Sequence, residues 1–224
     1  SLCICNSPES SLTRLSDLIF LTHAGPEIGV ASTKAFITQL VSLALLLCSI
    51  GKLKNSIDSN QEKEIVDGLK KLPGLINEAL LQENQIKNLA KRFKDKNSAL
   101  FLGRGTMHAI AMEGALKLKE ISYIHAEAFP AGELKHGPIA LIDKTMPVIA
   151  IAPNDELIEK LKSNLQEVKS RGAQMIVFED KDSKVPSVDA MEVIPVTSNL
   201  GRITAPIIFT IPLQLLSYHV ALNK

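Results

Sequence analysis

The side chains that could do chemistry crowd into residues 117–138, KLKEISYIHAEAFPAGELKHGP, which hold Lys117, Glu120, Glu127, Glu133, Lys135 and His136. An acid, an amine and an imidazole within reach of one another can lift a proton from one atom of a substrate and return it to the next. If residues 107–121 are helical, Glu113, Lys117 and Glu120 recur at i, i+4 and i+7 and share one face. A loop carrying His136 follows, broken at Ala131-Gly132 and stopped at Gly137-Pro138. Spacing alone leaves two readings open. One is a row of solvated salt bridges on a helix surface. The other is a partly buried acid/base pair, favoured by the apolar flanks in AMEGALKLKEISYIHAEAF, since a buried carboxylate holds its proton more tightly.

Other spacings carry less. Gly103-Arg104-Gly105 is a strand-to-helix turn that reads either as an anion or sugar site at a helix N-terminus or as a plain tight turn; His108 stands where the last glycine of GxGxxG would be. GPEIGVASTK, residues 25–34, has no glycine before Lys34 and so is not a Walker loop. Its Ser32 and Thr33 either bond a sugar or cap the next helix. His125-Ala126-Glu127 is half of a zinc-deaminase motif, but no cysteine follows Cys48, which excludes that chemistry. His23, His108 and His219 stand alone and read as packing or surface residues, and Cys3 and Cys5 as buried on a strand. No ligands at metal spacing are present, so neither metal nor cofactor is expected.

The elements that must position these residues alternate. Residues 2–6 and 17–22 read as strands buried on both faces, and 33–48 as a buried helix capped by Ser32 or Thr33. Residues 51–60 form a polar link. Two amphipathic helices follow over 62–81 and 83–94, with Pro73 capping or breaking the first. Strands are expected over 98–102, 146–152, 175–178 and 191–195, with helices over 107–121, 155–171 and 205–223 and a short one over 135–142. Continuous apolar strands alternating with helices predict an α/β fold, a three-layer α-β-α sandwich on a parallel sheet.

Bulk properties bound the rest. The 224 residues are 46% hydrophobic with no tryptophan, enough for an aliphatic core. A net charge of +1 gives no electrostatic case for nucleic acid or a membrane surface. The longest apolar run, residues 40–50, is too short for a bilayer. Three cysteines without framework spacing read as reduced thiols, and no signal peptide is visible, so a cytoplasmic location is expected. The chain opens directly in LCICN, as if a strand were already under way, and a piece of a longer protein is expected.

Three stretches carry a resemblance: AGPEIGVASTKAFITQL at 24–40, AMEGALKLKEISYIHAEAFPAGELKHGPIALID at 111–143 and TIPLQLLSYHVALNK at 210–224. Together they resemble the isomerase half of the glutamine:fructose-6-phosphate aminotransferase family, a tandem pair of sugar-isomerase (SIS) domains. The resemblance implies residues 1–60 as the end of a first SIS domain, 61–97 as connecting helices and 98–224 as a second SIS domain. It implies a ketose-to-aldose isomerisation of fructose 6-phosphate toward glucosamine 6-phosphate. Glu120 resembles the base that moves a proton between C1 and C2, and Lys117 the lysine that assists it. His136 resembles the histidine that opens the ring from the neighbouring subunit, which implies a homodimer. Val30, Ala31 and Ser32 resemble sugar-binding positions. The family's glutaminase domain, its Ser-x-Ser-Gly-Glu-Thr phosphate loop and its C-terminal Schiff-base lysine do not occur here, which implies that the isolated chain is inactive. A non-catalytic SIS module that senses sugar phosphates is the alternative.

Overall fold

The computed structural model describes residues 1–187 and 189–224. The chain forms two compact units, Ser1–Lys71 and Leu72–Lys224.

In the first unit, strands β1 (Leu2–Cys5) and β2 (Leu18–Leu21) pair in parallel, with Leu2 opposite Leu18 and Cys5 opposite Leu21. The short helix α1 (Ser11–Leu15) joins them, its N-terminus capped by the Ser10 hydroxyl, which accepts from the Thr13 N–H at 3.3 Å. These strands are not buried on both faces as expected: Leu2, Leu18 and Ile19 are exposed, and Cys3 and Cys5 are only half-buried. A continuous apolar run marks a strand that helices can cover twice, but two strands and one short crossover cannot supply that cover. Helix α2 (Lys34–Leu53) runs five residues past the expected end, into the first three residues of the polar link. Of its side chains only those of Ala35, Ser42, Ala44 and Cys48 are buried, whereas Leu43, Leu47 and Leu53 are exposed.

Helix α3 (Ser59–Leu80) begins in the first unit and ends in the second. Pro73 lies inside it and neither caps nor breaks it. A proline removes one intrahelical bond, and here burial of Leu72 and Ala79 compensates through packing.

The second unit holds a five-stranded, all-parallel sheet in the order β4-β3-β5-β6-β7. After α4 (Glu83–Ala90) and a 3-10 turn come β3 (Ser98–Gly103), α5 (Met107–Ser122), β4 (His125–Pro130) and two 3-10 segments, Ala131–His136 and Pro138–Leu141. Then follow β5 (Pro147–Ala152), α6 (Ile158–Ser170), β6 (Gln174–Asp180), β7 (Met191–Thr197) and α7 (Thr204–Asn223). Strand β4 corrects the expectation of one long loop after α5. Its sequence, HAEAFP, alternates no large apolar residues, because it is an edge strand with one neighbour and pairs residue for residue with β3. The period of two sorts the core. Leu100, Leu102, Val148, Ala150 and Ala152 face one layer with Leu161, Leu165 and Val168 of α6. The intervening Phe101, Ile149 and Ile151 are fully buried toward the other face, where α5 packs on β3, β4 and α7.

By length and apolarity, α2 and α7 are the two helices among the described residues that could cross a bilayer. Two-thirds of the α7 window is buried, however (67%), as in a core helix.

Candidate active site

Helix α5 brings Glu113, Lys117 and Glu120 onto one face, as their spacing requires. The Lys117 side chain is only 4% exposed. Its Nζ donates to Glu120 Oε2 at 2.5 Å and lies 3.6 Å from Glu113 Oε1. Glu113 is nearly as deep, and its Oε1 makes no hydrogen bond among the described residues. Burial pushes the Glu113 carboxyl above the usual glutamate range, and the nearby Lys117 ammonium opposes that only in part. A buried ammonium is tolerable only with partners, and here it has two carboxylates. Glu120 differs from Glu113 in being one-third exposed (33%), so of the two carboxylates it is the one that a substrate can reach. The solvated salt-bridge reading therefore fails for Lys117 and Glu113.

His136 does not join them. Helix α5 carries the chain from the carboxyl end of β3 back to the amino end of β4, so it runs against the strands. Lys117 and Glu120 in its last turns lie beside the strands' amino ends. His136 comes after the carboxyl end of β4, and six residues of strand span about 20 Å. Its side chain is 76% exposed, and its Nε2 lies 3.8 Å from Glu133 Oε2. The acid and the amine meet within one chain, and the imidazole follows the opposite end of β4.

Val30 is fully exposed, and Ala31 and Ser32 are half-buried, in the loop before α2. Thr33 is the N-cap residue of α2, as expected, but its side chain makes no cap bond; the cap bonds are made by the Glu27 carboxylate. Its Oε1 accepts from the N–H groups of Thr33 (2.7 Å) and Ala35 (3.3 Å), and its Oε2 from the Ser32 hydroxyl (3.2 Å). Capping preferences consider the residue at the helix boundary, whereas this carboxylate folds back across an intervening loop. Partial burial works against its charge, but these donors outweigh it and hold Glu27 below the usual glutamate range. A depressed carboxylate stabilises the fold above its unfolded-state pKa, and that contribution is lost as pH falls through the folded value. Glu27→Gln is therefore expected to cost about 1 kcal/mol at neutral pH, with the difference from the parent vanishing in acid; denaturant titrations at several pH values check both.

The Gly103-Arg104-Gly105 turn opens α5, and Gly105 and Thr106 line a cavity of about 210 Å³ with Asn154, Asp155 and Arg202 at the carboxyl ends of the strands. His125 and Glu127 sit 3.3 Å apart on β4. His219 is buried and reaches Glu83 at 3.2 Å, so it is a paired packing histidine.

The SIS domain family matches residues 1–49 and 92–224. The chain belongs to the SIS domain family. Over all 224 residues this SIS chain is 56% identical to the glutamine–fructose-6-phosphate aminotransferase (isomerizing) of Pseudomonas putida and 58% identical to that of Escherichia coli K12. It spans 36% of the length of either relative. Among solved structures, the C-terminal domain of glucosamine-fructose-6-phosphate aminotransferase from Francisella tularensis superposes with a TM-score of 0.96 at 55% identity, over 100% of this chain and 62% of that one. The SIS fold extends to more distant chains, such as a glucosamine-6-phosphate deaminase from Thermotoga maritima, at a TM-score of 0.68 and 22% identity.

Proposed function

We propose that this chain is part of the isomerase half of a glutamine:fructose-6-phosphate aminotransferase and that it converts the ketose skeleton of fructose 6-phosphate to the aldose of glucosamine 6-phosphate. The observation that carries this reading is the buried Lys117 ammonium holding the reachable carboxylate of Glu120 at 2.5 Å. Moving a double bond from C2 to C1 of a sugar needs one base that takes a proton from one carbon and returns it to the next across a planar enediol or enolamine. A single carboxylate, fixed in place yet accessible, can do both. Lys117 fixes that carboxylate and offers positive charge beside the oxygens where negative charge develops. His136 supplies the separate acid/base at the ring oxygen, since an imidazole can both donate and accept a proton. Val30, Ala31 and Ser32 contact the sugar. The reaction so written needs no metal and no cofactor. In the whole protein a glutaminase domain supplies ammonia from glutamine, and the enzyme works in the cytoplasm.

Because β4 separates His136 from Glu120 within one chain, the reading requires a homodimer in which His136 completes the partner's site. The full-length protein is expected to interconvert the hexose phosphates, and absence of that interconversion would sink the assignment. Mixed dimers of Glu120→Gln and His136→Ala chains test the sharing. Each variant alone is expected to be nearly inactive. A verified mixed dimer regains one intact site if the histidine crosses the interface, and none if it acts within its own chain.

A further inference from the structure

His136 projects into solvent and makes almost no packing contacts of its own, so something else must set where its ring points. The 3-10 segment that carries it, Ala131–His136, is anchored from below: Ala131 and Leu134 are fully buried in the core beside α6. Between them stands Gly132. A Cβ there would lie 2.7 Å from Arg104 Nη1 and 3.3 Å from its Cζ. The φ of Gly132 lies outside the left-handed region, so a Cβ there is opposed not by backbone conformation but by the end of the Arg104 side chain, which would have to move. The guanidinium that fills that space donates from Nη1 to Asn164 Oδ1 at 2.9 Å, and Asn164 is itself buried on α6. A second tie runs from Lys135, next to the histidine, to Glu167 Oε1 on α6 at 2.8 Å.

We propose that Arg104 is a positioning residue for His136: its guanidinium, bonded to Asn164 and laid against the Gly132 backbone, fixes the segment that presents the imidazole. The proposal rests on the reading of His136 as the acid/base of ring opening. Arginine suits the task, because its planar fork can bond an amide along one edge while its face rests against a peptide. The turn at the end of β3 thus serves both helix α5, which it starts, and the histidine segment, which it braces.

The test is a double-mutant cycle in the full-length protein, read as kcat and KM for sugar isomerisation. Arg104→Ala is expected to lower kcat about tenfold with KM unchanged, the size of loss that a displaced catalytic group produces. Gly132→Ala, which pushes the guanidinium aside but leaves the rest in place, is expected to act likewise and to keep the parent's melting temperature. It carries the cycle alone if Arg104→Ala does not fold. Both losses should disappear in a His136→Ala background. Losses that persist undiminished in that background, or an Arg104→Ala enzyme with the parent's kcat, would overturn the proposal. A His136→Ala enzyme with full activity would sink the underlying reading and this one with it. That outcome is distinct from additive losses, which sink the brace alone.

Discussion

Glu120→Gln in the full-length protein is expected to lower sugar isomerisation by about 10²- to 10⁴-fold while substrate affinity stays near that of the parent. Glutamine keeps the length, the planar end and an oxygen that can still accept from Lys117 Nζ. What it cannot do is take a proton from carbon. The stability cost should be small by comparison. The Glu120 side chain is one-third exposed, and the amide oxygen of glutamine leaves the buried Lys117 ammonium with an acceptor. Lys117 also retains Glu113 as a charged neighbour at 3.6 Å, so the ammonium is not stranded. Turnover and melting temperature therefore separate the two roles of the residue. A large loss of rate with a nearly unchanged melting temperature supports the base assignment. Turnover within tenfold of the parent would sink it, whatever the stability.

The helix face that holds this chemistry was legible in the sequence because helical periodicity is a local property: Glu113, Lys117 and Glu120 could fall nowhere else once α5 formed. Burial of Lys117 was signalled by its apolar flanks. The position of His136 was not legible. Its sequence distance from Glu120 reads as proximity only if the intervening residues are a loop, and they include β4, whose small and polar residues hide it from a hydrophobic pattern. Edge strands satisfy their backbone on one side and need no large apolar side chains, so pairing with β3 decides what local pattern cannot. The same limit hid the Glu27 cap and the Arg104–Asn164–Gly132 brace, which join residues distant in sequence. The continuous apolar strands β3 and β5 were plain because helices cover both of their faces, and the strands of the first unit misled for the same reason.

Gly103→Ala is expected to be strongly destabilising, costing about 3 kcal/mol. Gly103 ends β3 and is buried, and a Cβ there would lie 2.1 Å from the Met107 carbonyl oxygen, 2.4 Å from its carbon and 2.6 Å from the His108 nitrogen. All three are backbone atoms of the first turn of α5, so no side-chain rotation can relieve the collision. Either the end of β3 or the start of α5 must move. Gly74 in α3 provides the contrast, since a Cβ there meets nothing within 4 Å; Gly74→Ala should leave stability unchanged or raise it by up to about 1 kcal/mol through helix propensity. Denaturant midpoints of the two variants at equal m-values check the pair, and a Gly103→Ala loss below about 1 kcal/mol would contradict the close approach. The consequence reaches the chemistry, because α5 is the rigid arm on which Lys117 and Glu120 ride. A shift of its first turn is carried to its last, so the isomerisation rate of Gly103→Ala should fall even where the protein remains folded, whereas Gly74→Ala should leave the rate unchanged.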